Sequence, residues 1–260
     1  MSLVVLVIGC LLSGAVIGLL GGILGIGGGL IAIPALGLVL GMDQQLAQGT
    51  ALVMVLPTVL MAVRKYNQQA RIDLSVAAAG ALSAMACTWL GARWALGMDP
   101  VTLRRSFAVF LFCVGVFYVW QTWRKPRTAA GQGSGAQAPA PTLKRRQAAL
   151  LGVLAGTLGG FFGVGGAVIA VPVMTAVYQL RQAAAQALAL TMTIPGACVA
   201  LFTYARSGST DWVVGGALAA GSLLLVPVGV RIAYRLPERG LRAAFAVMLF
   251  GTVALLLAEG

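Results

Sequence analysis

Two clusters of glycines are the residues whose type and spacing suggest chemistry in this sequence. Each cluster lies inside an apolar stretch; the first holds Gly25, Gly27, Gly28 and Gly29, and the second holds Gly163, Gly165 and Gly166. Consecutive glycines weaken a helix by about 1 kcal/mol each relative to alanine, and they leave backbone N–H groups uncovered by side chains. Uncovered N–H groups at the start of a helix favour an anion. The clusters therefore predict a helix break in each stretch and a site for a small anion.

Prolines and polar side chains recur around both clusters. Pro34 and Pro172 follow the glycines within short apolar pieces, where each removes a backbone hydrogen-bond donor. We predict that four polar residues in the neighbouring apolar runs contact the same solute: Gln48, Thr50, Gln186 and Thr191. A hydrogen bond between helices, worth about 0.6 kcal/mol, accounts for these side chains equally well.

Two arginines near the ends of apolar segments, Arg93 and Arg231, complete the set of candidate binding residues. Arginines at such positions usually extend their charge to the membrane interface. The alternative is an electropositive vestibule that attracts anions, and the sequence leaves both interpretations open. By contrast, the upstream glycines spaced four apart are predicted to allow close helix packing; they are Gly14, Gly18 and Gly22, with Gly152, Gly156 and Gly160.

The composition indicates that lipid is the solvent for much of this chain. Of its 260 residues, 60% are hydrophobic and 9% are charged, whereas a soluble domain carries about 25% charged residues. The formal charge of +12 comes from short basic patches between apolar segments, which is typical of membrane proteins and does not predict a nucleic-acid partner. With no histidine and six carboxylates, we predict no metal, no cofactor, no catalytic residue and no enzymatic activity.

An internal duplication organises the chain. Shifting the sequence by 138 positions aligns residues 4–122 with 142–260, and a direct count gives 36 identities in 119 pairs. The halves are predicted as membrane repeats at 1–123 and 147–260. Between them, residues 124–146 are basic and rich in Gly, Ala and Pro, which predicts a flexible linker.

Each half is predicted to be all-α, since a chain in lipid must satisfy its backbone hydrogen bonds internally. About eight transmembrane helices are expected, four per repeat, at residues 3–24, 46–63, 73–96, 101–122, 147–162, 184–204, 212–234 and 241–258. The apolar pieces 29–41 and 167–179 look too short to cross a bilayer. Four crossings per half would leave the repeats parallel, and an odd number would invert them. The positive-inside rule then favours both termini and the linker in the cytoplasm.

The doubled motif GLLGGILGIGGGLIAIP, from Gly18 to Pro34, and GTLGGFFGVGGAVIAVP, from Gly156 to Pro172, resembles the TauE/SafE sulfite exporter family. The resemblance covers the whole chain except the linker. It departs from exact repetition at Ala167, where the first half has Gly29, so the second half is expected to offer fewer backbone donors. The resemblance implies a multi-pass permease of the bacterial inner membrane for sulfite or a small sulfur-containing organic anion, with protons as a coupling ion.

The sequence therefore predicts a secondary transporter for a small anion, embedded in the lipid bilayer. Two alternatives stay open at this point. A passive anion channel would share the anion preference, and a non-transporting membrane scaffold or assembly protein would use its repeats only to pack helices.

Overall fold

The computed structural model describes residues 3–67, 74–123 and 143–258, and all regular structure within them is α-helical. The all-α prediction is confirmed. Five helices come from each half, since the two short apolar pieces also form helices. The ten helices are α1 (Leu3–Leu24), α2 (Gly29–Leu40), α3 (Gln44–Asn67), α4 (Leu74–Leu96), α5 (Pro100–Trp123), α6 (Arg145–Phe162), α7 (Ala167–Ala176), α8 (Gln182–Arg206), α9 (Trp212–Arg235) and α10 (Glu238–Ala258).

Six of the described helices are long and apolar enough to cross a bilayer: α1, α3, α4, α5, α8 and α9. The predicted spans 147–162 and 241–258 correspond to α6 and α10, which do not meet that criterion. The structure therefore supports six of the eight predicted spans. The predicted linker lies outside the described residues up to position 142, and α6 already begins at Arg145.

Local signals explain where several helices begin and end. The Asp211 carboxylate accepts hydrogen bonds from the N–H groups of Val213 and Val214 at 2.9 and 3.0 Å, which makes Asp211 the N-cap of α9. Gly41 ends α2 in the left-handed conformation, with φ of 63°. The equivalent of Asp211 in the first half, Asp73, lies outside the described residues.

Close packing between the halves rests on the glycines spaced four apart. A Cβ atom on Gly14 would overlap the backbone of Leu218, and one on Gly22 would lie 2.7 Å from the Val226 carbonyl oxygen. Residue numbers rise together along this contact, so α1 and α9 run parallel. The packing role predicted for these glycines is confirmed.

The second half repeats this arrangement with exchanged partners. A Cβ atom on Gly156 would overlap the backbone of Ala84, and one on Gly160 would overlap that of Thr88. Helices α4 and α6 therefore also run parallel to each other. Each half thus supplies its first long helix to the fourth helix of the other half.

Two tyrosine–glutamine pairs show that α3 and α8 are antiparallel. Tyr66 near the end of α3 donates to Gln186 near the start of α8, at 2.9 Å. Tyr204 near the end of α8 donates to Gln48 near the start of α3, at 2.6 Å. Because α3 and α8 occupy the same position in the aligned halves, their opposite directions favour the inverted alternative over the parallel one, both of which the sequence left open. The short helix of each half carries the chain back across the fold.

The packing of α1 against α9 gives a direct stability prediction. A Gly18→Ala variant places Cβ 2.5 Å from the Ser222 Cα atom, so the two helices must separate. We expect a clearly lower melting temperature in detergent and a broader elution profile. Gly9→Ala is the matched control on the same helix, because nothing lies within 4 Å of its Cβ position. Equal melting temperatures for the two variants would contradict the tight packing described here.

Candidate solute-binding site

Both glycine clusters break their helices, as predicted. In the first cluster Gly25, Gly27 and Gly28 have φ values of +66°, +72° and +83°. The second cluster repeats this pattern, with φ of +67° at residue 163, +77° at 165 and +73° at 166. L side chains rarely adopt this conformation. The glycines therefore let α1 and α6 end and the chain turn sharply into α2 and α7.

The two glycine loops meet near the middle of the fold. A Cβ atom on Gly29 would lie 3.0 Å from Val55 Cγ2 and 3.6 Å from the Val164 Cα atom. The Cβ position of Gly165 lies 3.8 Å from Val55 Cγ1. Val55 is the twelfth of the 24 residues of α3, so both loops lie about halfway along this helix. The structure thus brings the two predicted clusters together.

Backbone N–H groups in both loops lack a backbone hydrogen-bond acceptor. Within the described chain, those of Gly27, Gly28, Gly165 and Gly166 donate to no backbone acceptor. They lie at the N-termini of α2 and α7, where the helix dipole is positive. The N–H of Ala167 donates to the Gly165 carbonyl at 2.9 Å, so that donor is already used.

The second loop borders a small open space. A cavity of about 10 Å³ lies beside Gly165, with the hydroxyl-bearing residues Thr88 and Thr193 in its wall. This volume is that of about one water molecule. The remaining lining residues are small: Ala84, Ala155, Gly156, Gly159, Gly196, Ala197 and Ala200.

Larger side chains fill the matching region of the first half. The Cβ position of Gly27 lies 2.6 Å from Val59 Cγ2, and that of Gly28 lies 2.9 Å from Ile17 Cγ2. The hydroxyls of Thr58 and Ser222 hydrogen-bond to each other at 2.7 Å. The two halves are therefore unequal where the sequence motifs look nearly identical.

The two predicted glutamines are fully buried but differ in their hydrogen bonds. Gln186 is saturated, because its Oε1 accepts from Tyr66 and its Nε2 donates to the Leu24 carbonyl at 2.8 Å. Gln48 Oε1 accepts from Tyr204, but its Nε2 has no partner. Gln48 also lies against the second loop, 2.8 Å from the Cβ position of Gly163. Its free amide donor is thus beside the loop that borders the cavity.

The tyrosines that hold these glutamines were not predicted as site residues. Tyr66 also donates to the Gly22 carbonyl at 3.1 Å, and Tyr204 to the Gly160 carbonyl at 3.4 Å. Each tyrosine therefore ties a glutamine to the end of a glycine-rich helix. The sequence signal that could have identified them is that both halves have a tyrosine at this position, 138 residues apart.

The remaining candidates lie away from the glycine loops. Thr50 accepts from the Asp211 N–H at 2.9 Å, at the start of α9, and Thr191 donates to the Ala187 carbonyl at 2.8 Å. Arg93 and Arg231 are exposed and line none of the cavities described here. The Arg93 guanidinium lies 5.4 Å from the centre of the Trp89 ring.

Three further observations concern the prolines, the cysteines and possible metal ligands in the described residues. Pro34 and Pro172 are buried in the second turn of α2 and α7, beyond the N-terminal donors. The four cysteines are all free, and Cys113 and Cys198 are exposed. No cluster of three or more metal-ligating side chains occurs in the described parts of the chain.

These features define a multi-pass helical membrane protein with two broken helices that meet at mid-depth. The profile of the sulfite exporter TauE/SafE family matches residues 10–256, and the chain belongs to this family of membrane transporters. It is also 23% identical over 271 residues to the probable membrane transporter protein YunE of Bacillus subtilis (strain 168), covering 99% of this chain and 96% of that protein. No solved structure matches the chain.

Proposed function

We propose that the protein is a secondary permease for a small anion, with sulfite or a small organosulfonate as the first candidates. The observation that carries this proposal is the meeting of two helix N-termini halfway along α3. Gly27, Gly28, Gly165 and Gly166 contribute N–H groups without backbone acceptors. Interrupted helices at equivalent positions of two repeats are the usual site of substrate binding in secondary transporters.

Gln48 completes the proposed site from the side of the second loop. Its unpartnered Nε2 and the neighbouring Gly165 N–H supply donors for an oxyanion. The 10 Å³ cavity is too small for sulfite, so we assign the central site to an occluded, empty conformation. Proton coupling would then involve the anion's own protonation, since no carboxylate lines this site.

The proposed architecture is a pair of inverted five-helix repeats, each with four long helices and one half-length helix. Helices α1, α3 and α9 run in one direction, and α4, α6 and α8 run in the other. Each helix of the first half is opposed by its equivalent in the second, which is the arrangement of many carriers with alternating access. Rocking of one group against the other would expose the glycine loops to each side in turn.

Helix directions place the described ends of the chain on one side and the ends that flank the linker on the other. The sequence-based expectation had put all of them together. Of the 14 Lys and Arg residues in the described segments, ten lie on the linker side and four on the terminal side. The four are Arg93, Arg104, Arg105 and Arg206. By the positive-inside rule, we assign the linker side to the cytoplasm of a bacterial inner membrane.

Fusion reporters at the C-terminus test this orientation. We expect alkaline phosphatase fused after residue 260 to be active, because it folds only outside the cytoplasm. Green fluorescent protein at the same position should be dark, whereas an insertion of the same protein near residue 133 should fluoresce. The reverse pattern would place the termini in the cytoplasm, as the sequence alone had suggested.

Binding is tested by thermal shift and transport by flux. In detergent, the screen covers sulfite, thiosulfate, taurine, sulfoacetate, small carboxylates and divalent cations. A ligand at 100 times its Kd should stabilise the folded state by about 2.7 kcal/mol. Proteoliposomes should then show saturable uptake of the stabilising anion. Non-saturating flux would indicate a channel, and neither binding nor flux would indicate a scaffold.

A further inference from the structure

We propose that a second cavity, on the terminal side of the fold, is the mouth through which the anion enters or leaves the central site. Its first contacts are assigned to Arg104 and Gln44. This inference rests on the proposed function but concerns different residues from those at the glycine loops.

The mouth has room for a hydrated ion. Its volume is about 470 Å³, between the end of α2 and the starts of α3 and α5. By the same measure the central cavity of about 10 Å³ holds about one water molecule, so a small oxyanion fits in the mouth together with part of its hydration shell. The lining residues are Gly37, Leu38, Gly41, Met42, Asp43, Gln44, Pro100, Val101 and Arg104.

Gln44 supplies a buried donor without a partner in this wall. Its side chain is 6% exposed, and its Nε2 has no hydrogen bond. The adjacent Gln45 is different, because its Nε2 donates to the carbonyls of Ala95 and Met98 at 3.4 and 2.8 Å. An unpaired buried donor costs about 1–3 kcal/mol. The Gln44 Nε2 is shielded in this structure, so the amide has to turn toward the cavity to hydrogen-bond a ligand or water there.

The charges around the mouth favour an anion. Arg104 is the cation among the lining residues, at the first turns of α5. Asp43 is the carboxylate, and its Oδ1 accepts from the Leu46 N–H at 2.8 Å. Its charge therefore faces the positive end of α3. The N-terminus of α5 is already capped by the Asp99 carboxylate, which accepts from the Thr102 N–H at 3.1 Å, so the Arg104 guanidinium is the group that points to a negatively charged occupant.

A line of amides leads inward from the mouth. Gln44 and Gln48 are four residues apart, so they lie on one face of α3. Both carry an unpartnered Nε2, and Gln48 lies against the second glycine loop at Gly163. Two free donors thus connect the cavity to the loop that borders the central space.

On the opposite side, Gln182 is the equivalent of Gln44 at the start of α8. It is 1% exposed, and neither of its amide atoms has a hydrogen-bond partner. Gln182 lines none of the cavities described here. Gln182 is assigned the matching contact in a conformation that opens the opposite side.

The assignment of the mouth is tested by neutralising Arg104, with neutralisation of the neighbouring Arg105 as the control. Uptake of radiolabelled sulfite is measured in proteoliposomes for wild type, Arg104→Gln and Arg105→Gln. Arg105 has the same charge on the same turn, is exposed and does not line the cavity. We expect Arg104→Gln to raise the half-saturating concentration about tenfold with little change in maximal rate, and Arg105→Gln to change it less than twofold. The tenfold effect should shrink in high salt, because ions screen the attraction.

Gln44 provides an independent measurement. Gln44→Glu puts a negative charge in the wall and should raise the half-saturating concentration more than the uncharged Gln44→Met. Melting temperatures of all variants are recorded to verify folding. Suppose that wild type takes up the anion but the half-saturating concentrations are equal for Arg104→Gln and Arg105→Gln, or for Gln44→Glu and Gln44→Met. The assignment of the mouth is then wrong, and the proposal of a permease is unaffected. Absence of anion uptake by wild type across the full anion panel would overturn the proposed function itself.

Discussion

Gly165→Ala is expected to abolish anion transport while the protein still folds and inserts into the membrane. The added Cβ meets only Val55 Cγ1, at 3.8 Å, so no backbone has to move. The methyl group nevertheless enters a cavity of about 10 Å³ and lies beside the N–H proposed to bind the anion. A φ of +77° adds strain of about 1–2 kcal/mol for any L side chain, so a modest fall in melting temperature should accompany the loss.

Gly208→Ala is the control that separates the effect of backbone strain from the loss of the proposed binding site. Gly208 has φ of +74° and nothing within 4 Å of its Cβ position, in the connection between α8 and α9. The two variants should therefore lose similar stability, and only Gly165→Ala should lose uptake in proteoliposomes. Normal uptake by Gly165→Ala would remove the second glycine loop from the site. Gly166 is unsuitable for this test, because its Cβ would overlap the Ala155 carbonyl oxygen.

Gln48→Leu is expected to reduce transport at least tenfold with a small effect on stability. Its Oε1 bond from Tyr204 is lost, but Tyr204 retains the Gly160 carbonyl as an acceptor. The unpartnered Nε2 contributes nothing to the empty fold. Transport should fall because this donor is proposed to bind the anion. The loss is measured as a rise in the half-saturating concentration for uptake.

Gln186→Leu is the matched control, and the opposite balance is expected. It removes hydrogen bonds to both Tyr66 and the Leu24 carbonyl. Buried bonds between membrane helices are worth about 0.6 kcal/mol on average and up to about 1.7 kcal/mol, so its melting temperature should fall further than that of Gln48→Leu. If the two variants lose transport and stability in the same proportion, the inequality between the halves has no functional meaning.

The sequence predicted the long elements well because each depends on local signals. Apolar length located the membrane helices, and the glycines located both breaks. The sequence could not give the direction of α3 relative to α8. At 13 residues each, the apolar pieces 29–41 and 167–179 looked too short to return the chain, yet α2 and α7 lead back from the mid-depth loops. Whether the termini share a side of the membrane with the linker depends on this direction.

The inequality of the two halves also depends on contacts that motifs do not contain. Val55 and Val59 have Thr193 and Ala197 as their equivalents, which are ordinary substitutions in an apolar helix. The structure is needed to show that Val55 and Val59 fill the space beside Gly27, whereas Thr193 and Ala197 line the cavity beside Gly165. Similarly, the sequence alone did not show that the Gln48 amide lacks a partner while the Gln186 amide is saturated.

The exchange of first helices between the halves determines how the protein must be synthesised. Gly14 packs on Leu218, 204 positions later in the chain. At about 5–20 residues per second, α1 spends roughly 10–40 s in the bilayer before the ribosome has made its partner. During that interval the glycine-lined face of α1 contacts lipid or the insertion machinery. The first half is therefore incomplete as a folding unit, and assembly must wait until α9 is inserted beside it.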